Sequence, residues 1–296
     1  MNASIPANQR LTNQGYWDGV YAGEEWSLAR SAPASKPARA LALLEARLKK
    51  LLGSRLIASM SAYDEYMLWD VILPRYLEGR SGEKVVEIGS APGQFLVRLK
   101  HRFGLVPYGI DFSSVGADLN RQLFAAGGAD PANVIQADFF DPALHERYRG
   151  WFDVVVSRGF IEHFRDVEDV IRKHLNLLRS GGLLVVAIPN LQGINKQLSA
   201  LFHREVLAMH NQNIMTRERF ASLFPSEQAE RLFCGYYGTF SFYLFRARPG
   251  SPMRVLLAAC MKAQPVLNSL FRLLLKERGA ESSWFSPTLL FVGVKR

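Results

Sequence analysis

The chain has 296 residues, of which 48% are hydrophobic and 21% are charged, and its formal net charge is +9. This composition is typical of a soluble globular protein with an ample core, and the mildly basic charge permits a nucleic-acid or anionic-membrane partner without requiring one. The two cysteines, Cys234 and Cys260, exclude a disulfide framework and a cysteine-rich zinc site, and we expect both to be reduced.

The N-terminal region, residues 1–60, is expected to form an arm and a helical cap. Its first 35 residues are polar, and we expect the aromatic side chains among them to pack onto the core. These aromatic residues are Tyr16, Trp17, Tyr21 and Trp26. Amphipathic patterns predict helices over residues 38–52 and 63–77. The first 40 residues contain no apolar segment of a secretory signal, so we expect a cytoplasmic protein.

A tight loop of small residues follows the first predicted strand, Val85-Val86-Glu87-Ile88. The small residues are Gly89, Ala91 and Gly93, and a helix is predicted to begin after them. Such a loop lets the backbone approach a ligand closely and directs helix N-terminal N–H groups towards it. A dinucleotide-binding fingerprint needs its third small residue at position 94, which is Gln, so the loop departs from the NAD pattern.

Further strands are predicted over residues 105–110, 134–137, 152–157 and 181–190. Their alternation with helices over residues 61–190 predicts an α/β fold with a doubly wound, mostly parallel sheet. Acids stand at the ends of the first three strands, at Glu87, Asp111 and Asp138. Because ligands of open parallel sheets bind beyond the carboxyl ends of the strands, we expect these acids to line one site.

The loop and the strand-end acids together resemble the class I S-adenosylmethionine (SAM) methyltransferases of the small-molecule type. Their motif I is acid-x-Gly-x-Gly-x-Gly, and Ala91 stands here in place of the middle glycine. The resemblance covers about residues 60–245 and the last strand. It implies a seven-stranded Rossmann-like sheet with helical cap insertions, an enzyme that uses SAM as methyl donor, and an aromatic N-terminal arm that folds over SAM.

The same resemblance implies a set of cofactor-binding residues. These residues are Glu87, Gly89, Ser90, Ala91, Gly93, Asp111, Phe112, Asp138, Phe139, Ser157 and Arg158. The loop is expected to hold the methionine part of SAM, Asp111 the ribose, and Asp138 with Phe139 the adenine. The backbone of Ser157 and Arg158 is expected to meet the methionine amino group. A pocket rich in carboxylates suits the sulfonium cation of SAM and would repel a pyrophosphate.

Methyl transfer is an in-line displacement in which alignment of the reactants can supply about 7–11 kcal/mol. An oxygen nucleophile of high pKa also needs a base nearby. The candidate bases are His163 and His210, with Glu162 as a partner or an alternative. Each histidine can equally be interpreted as a hydrogen-bonded structural residue. No metal site is predicted, although the acids at positions 138 and 141 leave magnesium open as a minor alternative.

The pattern changes after the fifth strand. Residues 191–232 are expected to form a helical insert or lid, with a helical stripe over 193–210 and a helix from the N-cap Thr216 to residue 223. Residues 233–296 are expected to hold the last two strands, 233–245 and 286–294, separated by a helical insert over about 247–284.

Within this insert, residues 253–276 predict an amphipathic helix. Its basic side chains lie on one side and its leucines on the other. The basic side chains are Arg254, Lys262, Arg272 and Lys276. We expect the helix to pack over the substrate pocket or against another subunit, with peripheral contact to an anionic membrane as the alternative. No stretch reaches the roughly 18 uncharged apolar residues that a membrane span needs.

The predicted function is O-methylation of a small hydroxylated metabolite, with a histidine as general base. One alternative is a membrane-associated methyltransferase that acts on a lipid or lipid-linked substrate, and another is a non-catalytic SAM-fold binding or scaffold protein. A nucleic-acid substrate is not expected, because the basic charge is spread over the termini and the late insert instead of forming an aromatic single-strand platform.

Overall fold

The computed structural model describes residues 9–22, 60–248 and 250–296. One seven-stranded sheet runs through it, in the order β3-β2-β1-β4-β5-β7-β6. The strands are β1 (Lys84–Ile88), β2 (Val106–Asp111), β3 (Val134–Gln136), β4 (Phe152–Arg158), β5 (Leu178–Pro189), β6 (Ala229–Tyr237) and β7 (Thr288–Lys295). The pairs from β3 to β5 are parallel, and β7 is antiparallel to both β5 and β6. The predicted seven-stranded, mostly parallel sheet is therefore confirmed.

Helices cover both faces of the sheet. In chain order they are α1 (Gln14–Ala22), α2 (Tyr63–Tyr66), α3 (Pro74–Leu77), α4 (Gln94–Phe103), α5 (Ser114–Ala126), α6 (Pro142–Arg147), α7 (Val167–Leu177), α8 (Gly193–His203), α9 (Arg217–Ser222) and α10 (Met253–Leu274). A π-helical segment, Met67–Ile72, joins α2 to α3, so the helix predicted over 63–77 is present in three pieces. The helix predicted over 38–52 and the side chain of Trp26 lie outside the described residues.

The core forms two layers because successive strand residues point to opposite faces of the sheet. In β1, Val86 and Ile88 face one layer together with Phe152 of β4. Val85 faces the other layer, where it joins Trp69 and Leu99. Both faces of the sheet are buried, and for this reason the sequences of the parallel strands are continuous apolar runs instead of alternating apolar and polar residues.

The predicted strand over 233–245 was wrong in its position. β6 begins earlier, at Ala229, and ends at Tyr237. The aromatic residues beyond it leave the sheet, and Phe245 packs against Phe202 of α8 and Leu257 of α10 in a separate small cluster. Tertiary packing of these aromatic side chains has overridden their preference for strands.

The late insert contains the predicted helix as α10. The helix faces the rest of the chain through buried Leu257, Gln264 and Asn268. Its residues Leu270, Leu273 and Leu274 are exposed. The Gln264 side-chain carbonyl accepts from the N–H of Phe242 at 2.8 Å, and the Asn268 amide donates to the carbonyl of Met60 at 3.1 Å. In the described part of the chain, no helix combines the length and the apolar character that crossing a bilayer requires.

Candidate functional site

The loop between β1 and α4 is held against the neighbouring strand. The N–H groups of Gly89 and Ser90 donate to the carbonyl of Ile110, at 2.9 and 3.2 Å. Gly89 has a φ of +70°, and a Cβ at this position would lie 2.9 Å from the ring of Phe160. Gly93 has a φ of +99°, and its Cβ would meet the side chain of Asn120 at 2.1 Å. The predicted glycines are thus required both by the backbone conformation and by close approach.

A cavity of about 250 Å³, termed the first cavity, opens at the carboxyl edge of β1, β2 and β3. Most of the predicted cofactor-binding residues line it. Those that do are Gly89, Ala91, Asp111, Phe112, Asp138, Phe139 and Arg158. The remaining predicted residues do not line it; they are Glu87, Ser90, Gly93 and Ser157.

Two of these residues, Ser90 and Glu87, have hydrogen-bonding side-chain partners in the protein. Ser90 Oγ accepts from the amide of Asn120 at 2.6 Å, and Ser157 is fully buried within β4. Glu87 is 3% exposed, and one of its carboxylate oxygens accepts from Arg158 Nε at 3.2 Å. Burial raises the pKa of Glu87 to about 7, while the nearby guanidinium opposes this rise. Glu87 therefore holds in place the guanidinium of Arg158, which lines the cavity.

Asp111 connects the loop to the end of β2. Its two carboxylate oxygens accept from the N–H of Ala91 at 3.0 Å and from the N–H of Ser113 at 2.9 Å. Burial raises the pKa of Asp111, and these two hydrogen bonds oppose the rise. Each oxygen keeps a second lone pair, so the carboxylate can still accept from a ligand hydroxyl in the cavity.

The N-terminal segment closes the first cavity. Arg10 Nη2 donates to both oxygens of Asp138, at 2.8 and 2.6 Å. The N–H of Leu11 donates to the carbonyl of His163 at 2.8 Å, and Trp17 and Tyr21 of α1 line the cavity. The sequence offered no signal for Arg10, because the pairing joins residues that are 128 positions apart.

A second cavity, of about 280 Å³, adjoins the first. Trp17, Gly159, His163 and Arg246 line both cavities and so form their common wall. Arg246 was not predicted to be a site residue, because it directly follows the aromatic residues that the sequence analysis assigned to a strand. The structure thus places two neighbouring chambers at the carboxyl edge of the sheet.

The three predicted catalytic residues all line the second cavity and lie together. Glu162 and His163 belong to a 3-10 turn after β4, Ile161–His163, and His210 follows a second such turn, Arg204–Met209. The imidazole rings of His163 and His210 are 4.7 Å apart between centroids. The N–H of Asn211 donates to the carbonyl of Glu162 at 2.7 Å, which holds the two segments side by side.

Burial shifts the pKa of all three groups towards their neutral forms. It raises the pKa of Glu162 to about 8. It also lowers the pKa of His163 to about 3, with a further contribution from His210, whose own pKa is lowered by burial. The histidines are therefore neutral near pH 7 and can accept a proton or bind an electrophile.

Residues 62–236 match the family described as the methyltransferase domain. The chain belongs to this methyltransferase family. Its methyl donor is SAM, and the aromatic side chains, the strand-end acids and the glycine loop of the first cavity fit a ligand that combines an adenine, a ribose and a cationic amino-acid portion.

Solved structures with the same fold have low sequence identity to this methyltransferase. Geranyl diphosphate C-methyltransferase from Streptomyces coelicolor A3(2) is 15% identical, with a TM-score of 0.51 over 80% of this chain and 79% of that one. The cyclase SpnF is 14% identical, with a TM-score of 0.51 over 78% of this chain and 81% of that one. Haemonchus contortus phosphoethanolamine N-methyltransferase 2 is 16% identical, with a TM-score of 0.50 over 81% of this chain and 57% of that one. No curated protein matches the sequence.

Proposed function

We propose that this methyltransferase transfers the methyl group of SAM to an oxygen atom of a small hydroxylated molecule held in the second cavity. The observation that carries the proposal is the common wall of the two cavities, formed by Trp17, Gly159, His163 and Arg246. A donor in the first cavity and an acceptor in the second would meet at this wall. Such alignment is the main contribution that an enzyme makes to a displacement reaction.

Different residues of the first cavity would bind different parts of SAM. We assign the ribose to Asp111, the adenine to Asp138 and Phe139, and the methionine part to the loop at Gly89 and Ala91. When bound, SAM supplies a methyl group on a positively charged sulfur, whose neutral thioether leaves without acid assistance. The carboxylate of Asp111 favours that positive charge, whereas Asp138 is already paired with Arg10.

The proton of the acceptor hydroxyl would pass to a histidine. In both His163 and His210, Nδ1 lies against a backbone carbonyl, which leaves Nε2 as the proton acceptor. His163 is the poorer acceptor, because its pKa is lowered to about 3. We therefore assign the general base to His210, with Glu162 and His163 as its neighbours.

Calorimetric titration with SAM, followed by single-turnover assays with hydroxylated acceptors, tests this proposal. Asp111→Ala should weaken SAM binding, whereas Asp118→Ala, which changes an exposed acid of α5, should not. Methyl transfer to oxygen in the wild-type protein, slowed in His210→Asn, would support the assigned chemistry. Methylation of nitrogen or carbon only would contradict it.

A second candidate is action on a lipid or lipid-linked acceptor at an anionic membrane. The outer side of α10 exposes an apolar stripe that no described residue covers. Its members are Val255, Leu256, Val266, Leu270, Leu273 and Leu274. Exposed Arg254, Lys262 and Lys276 accompany this stripe, whereas Arg272 instead contacts Ser61 and the ring of Tyr66. An apolar stripe beside cations suits a membrane surface with anionic lipids.

Flotation with lipid vesicles tests this second candidate. The wild-type protein should float with phosphatidylcholine vesicles that contain phosphatidylglycerol and not with phosphatidylcholine alone. Leu273→Glu with Leu274→Glu should abolish flotation, whereas Leu232→Glu, at an exposed leucine of β6, should not. Self-association of the wild-type protein that the double variant removes would instead assign the stripe to a second copy of the chain.

A further inference from the structure

We propose that Glu162, His163 and His210 bind a divalent transition-metal ion in the second cavity. One carboxylate oxygen and one nitrogen from each imidazole lie within 4.8 Å of one another. A cation placed among three atoms at such separations can contact all of them after small side-chain movements. The sequence predicted no metal site, because the two histidines belong to segments that only the fold brings together.

The environment of the Glu162 carboxylate is the first observation that favours a bound cation. Glu162 is 1% exposed, and neither of its carboxylate oxygens has a hydrogen-bond partner among the described residues. A buried polar group without a partner is costly, and native proteins rarely retain one without a reason. A cation at this point would give the carboxylate a partner, whereas a purely structural role leaves it without one.

The orientation of the two imidazoles is the second evidence. His163 Nδ1 lies 2.8 Å from the carbonyl of Met209, and His210 Nδ1 lies 2.7 Å from the carbonyl of Val206. Each Nδ1 therefore carries the proton and donates it, which leaves the lone pair of each Nε2 free. Metal-binding histidines are held in the same way, since the second ring nitrogen usually donates to a carbonyl or a carboxylate.

The ligand set selects the class of metal. Two imidazole nitrogens and one carboxylate suit zinc, manganese, iron or cobalt, whereas magnesium and calcium prefer oxygen ligands. All three residues face the second cavity, so positions on the ion remain open for water or for an acceptor oxygen. This is the arrangement of a reactive site rather than of a closed structural one.

A role in catalysis for this ion depends on the proposed function, whereas the binding of the ion does not. A hydroxyl bound to a divalent cation loses its proton more readily, and that proton can leave to water in the cavity. Each Nε2 lone pair can hold either a proton or the cation. In the metal-bound protein the cation would therefore replace the histidine base.

The test uses the full, untagged chain after treatment with a chelator and desalting. Calorimetric titration with Zn²⁺ should show one site, and titration with Co²⁺ should give visible absorption bands of a nitrogen- and oxygen-ligated ion. Mg²⁺ should bind more weakly than either ion. Glu162→Gln and His210→Asn should each weaken Zn²⁺ binding by at least about tenfold, because even outer-shell changes at metal sites cost 10- to 100-fold.

His203→Asn is the matched control, since His203 lines the same cavity outside the cluster and lies beside Glu205. It should leave Zn²⁺ affinity unchanged. Thermal melting and SAM binding show whether each variant is folded. No Zn²⁺ binding by the folded wild-type protein, or binding that the cluster variants leave intact, overturns the metal site. Zn²⁺ binding without methyl transfer to any acceptor would count against the proposed function alone.

Discussion

Arg10 and Asp138 form an ion pair that joins the N-terminal segment to the end of β3, with Arg10 Nη2 2.8 and 2.6 Å from the two carboxylate oxygens. The guanidinium also lies over the ring of Phe140, 5.1 Å from its centre. Both charged groups line the first cavity. The pair therefore couples the closure of the N-terminal segment to the strand end where we place the adenine.

Removing this pair should loosen the closure over SAM. Because both side chains are partly exposed, the pair contributes about 1 kcal/mol, and Arg10→Ala should weaken SAM binding about fivefold. Titration calorimetry measures the change. Arg121→Ala removes an exposed pair with Asp118 on α5 and should have no effect. Equal SAM affinity in wild type and Arg10→Ala would show that the pair is not part of the closure.

Asp111 should matter for the fold of the loop as well as for SAM. Asp111→Ala leaves the N–H groups of Ala91 and Ser113 without their acceptor, at a cost of about 1–3 kcal/mol in the free energy of unfolding. Asp111→Asn keeps one acceptor oxygen. Its stability and its SAM affinity should therefore lie between those of the wild type and those of Asp111→Ala. Urea denaturation and calorimetry measure these quantities, and equal losses in the two variants would contradict the hydrogen-bond account.

Stability should depend on pH through Glu87. Its pKa is about 7 in the folded protein, compared with 4.5 for a glutamate exposed to water, so the folded protein retains a proton that the unfolded chain releases at lower pH. The free energy of unfolding should therefore fall as pH rises from 4.5 to 7, by up to about 3 kcal/mol at about 1.4 kcal/mol per pH unit.

Glu87→Gln cannot ionise and should lack this contribution. The free energy of unfolding of the wild type relative to the variant, measured by urea denaturation between about pH 4.5 and 8, should decline across the window. A difference that stays constant with pH, or that grows in favour of the wild type, would contradict the burial of an ionisable Glu87.

Gly89→Ala should damage the first cavity. The new Cβ would lie 2.9 Å from the Phe160 ring, at a φ of +70° that side chains rarely adopt. We expect a loss of about 1–3 kcal/mol in stability and weaker SAM binding. Gly128→Ala is the control, because Gly128 has a φ of +68° but no atom within 4 Å of its Cβ. It should lose stability while retaining SAM affinity.

Much of the fold could be predicted from short stretches of sequence. The apolar runs of β1, β2 and β4 and the loop around Gly89 are local patterns, because strand alternation and turn chemistry depend on neighbours along the chain. Asp111 and Asp138 could be predicted at one edge for the same reason, since parallel strands bring their carboxyl ends together. The strand end at Tyr237 could not, because the aromatic residues beyond it pack with α8 and α10.

The sequence by itself determined the parallel sheet, the small-residue loop and the acids at the strand ends, since each is specified by residues close in the chain. Only the tertiary structure decided which distant groups meet. It paired Arg10 with Asp138 and brought His210 beside Glu162 and His163. It also turned Gln264 of α10 inwards while Leu270, Leu273 and Leu274 face outwards. These contacts depend on how separate elements pack against one another. Packing is a property of the whole fold, and the local hydrophobic pattern of a helix or strand does not specify it.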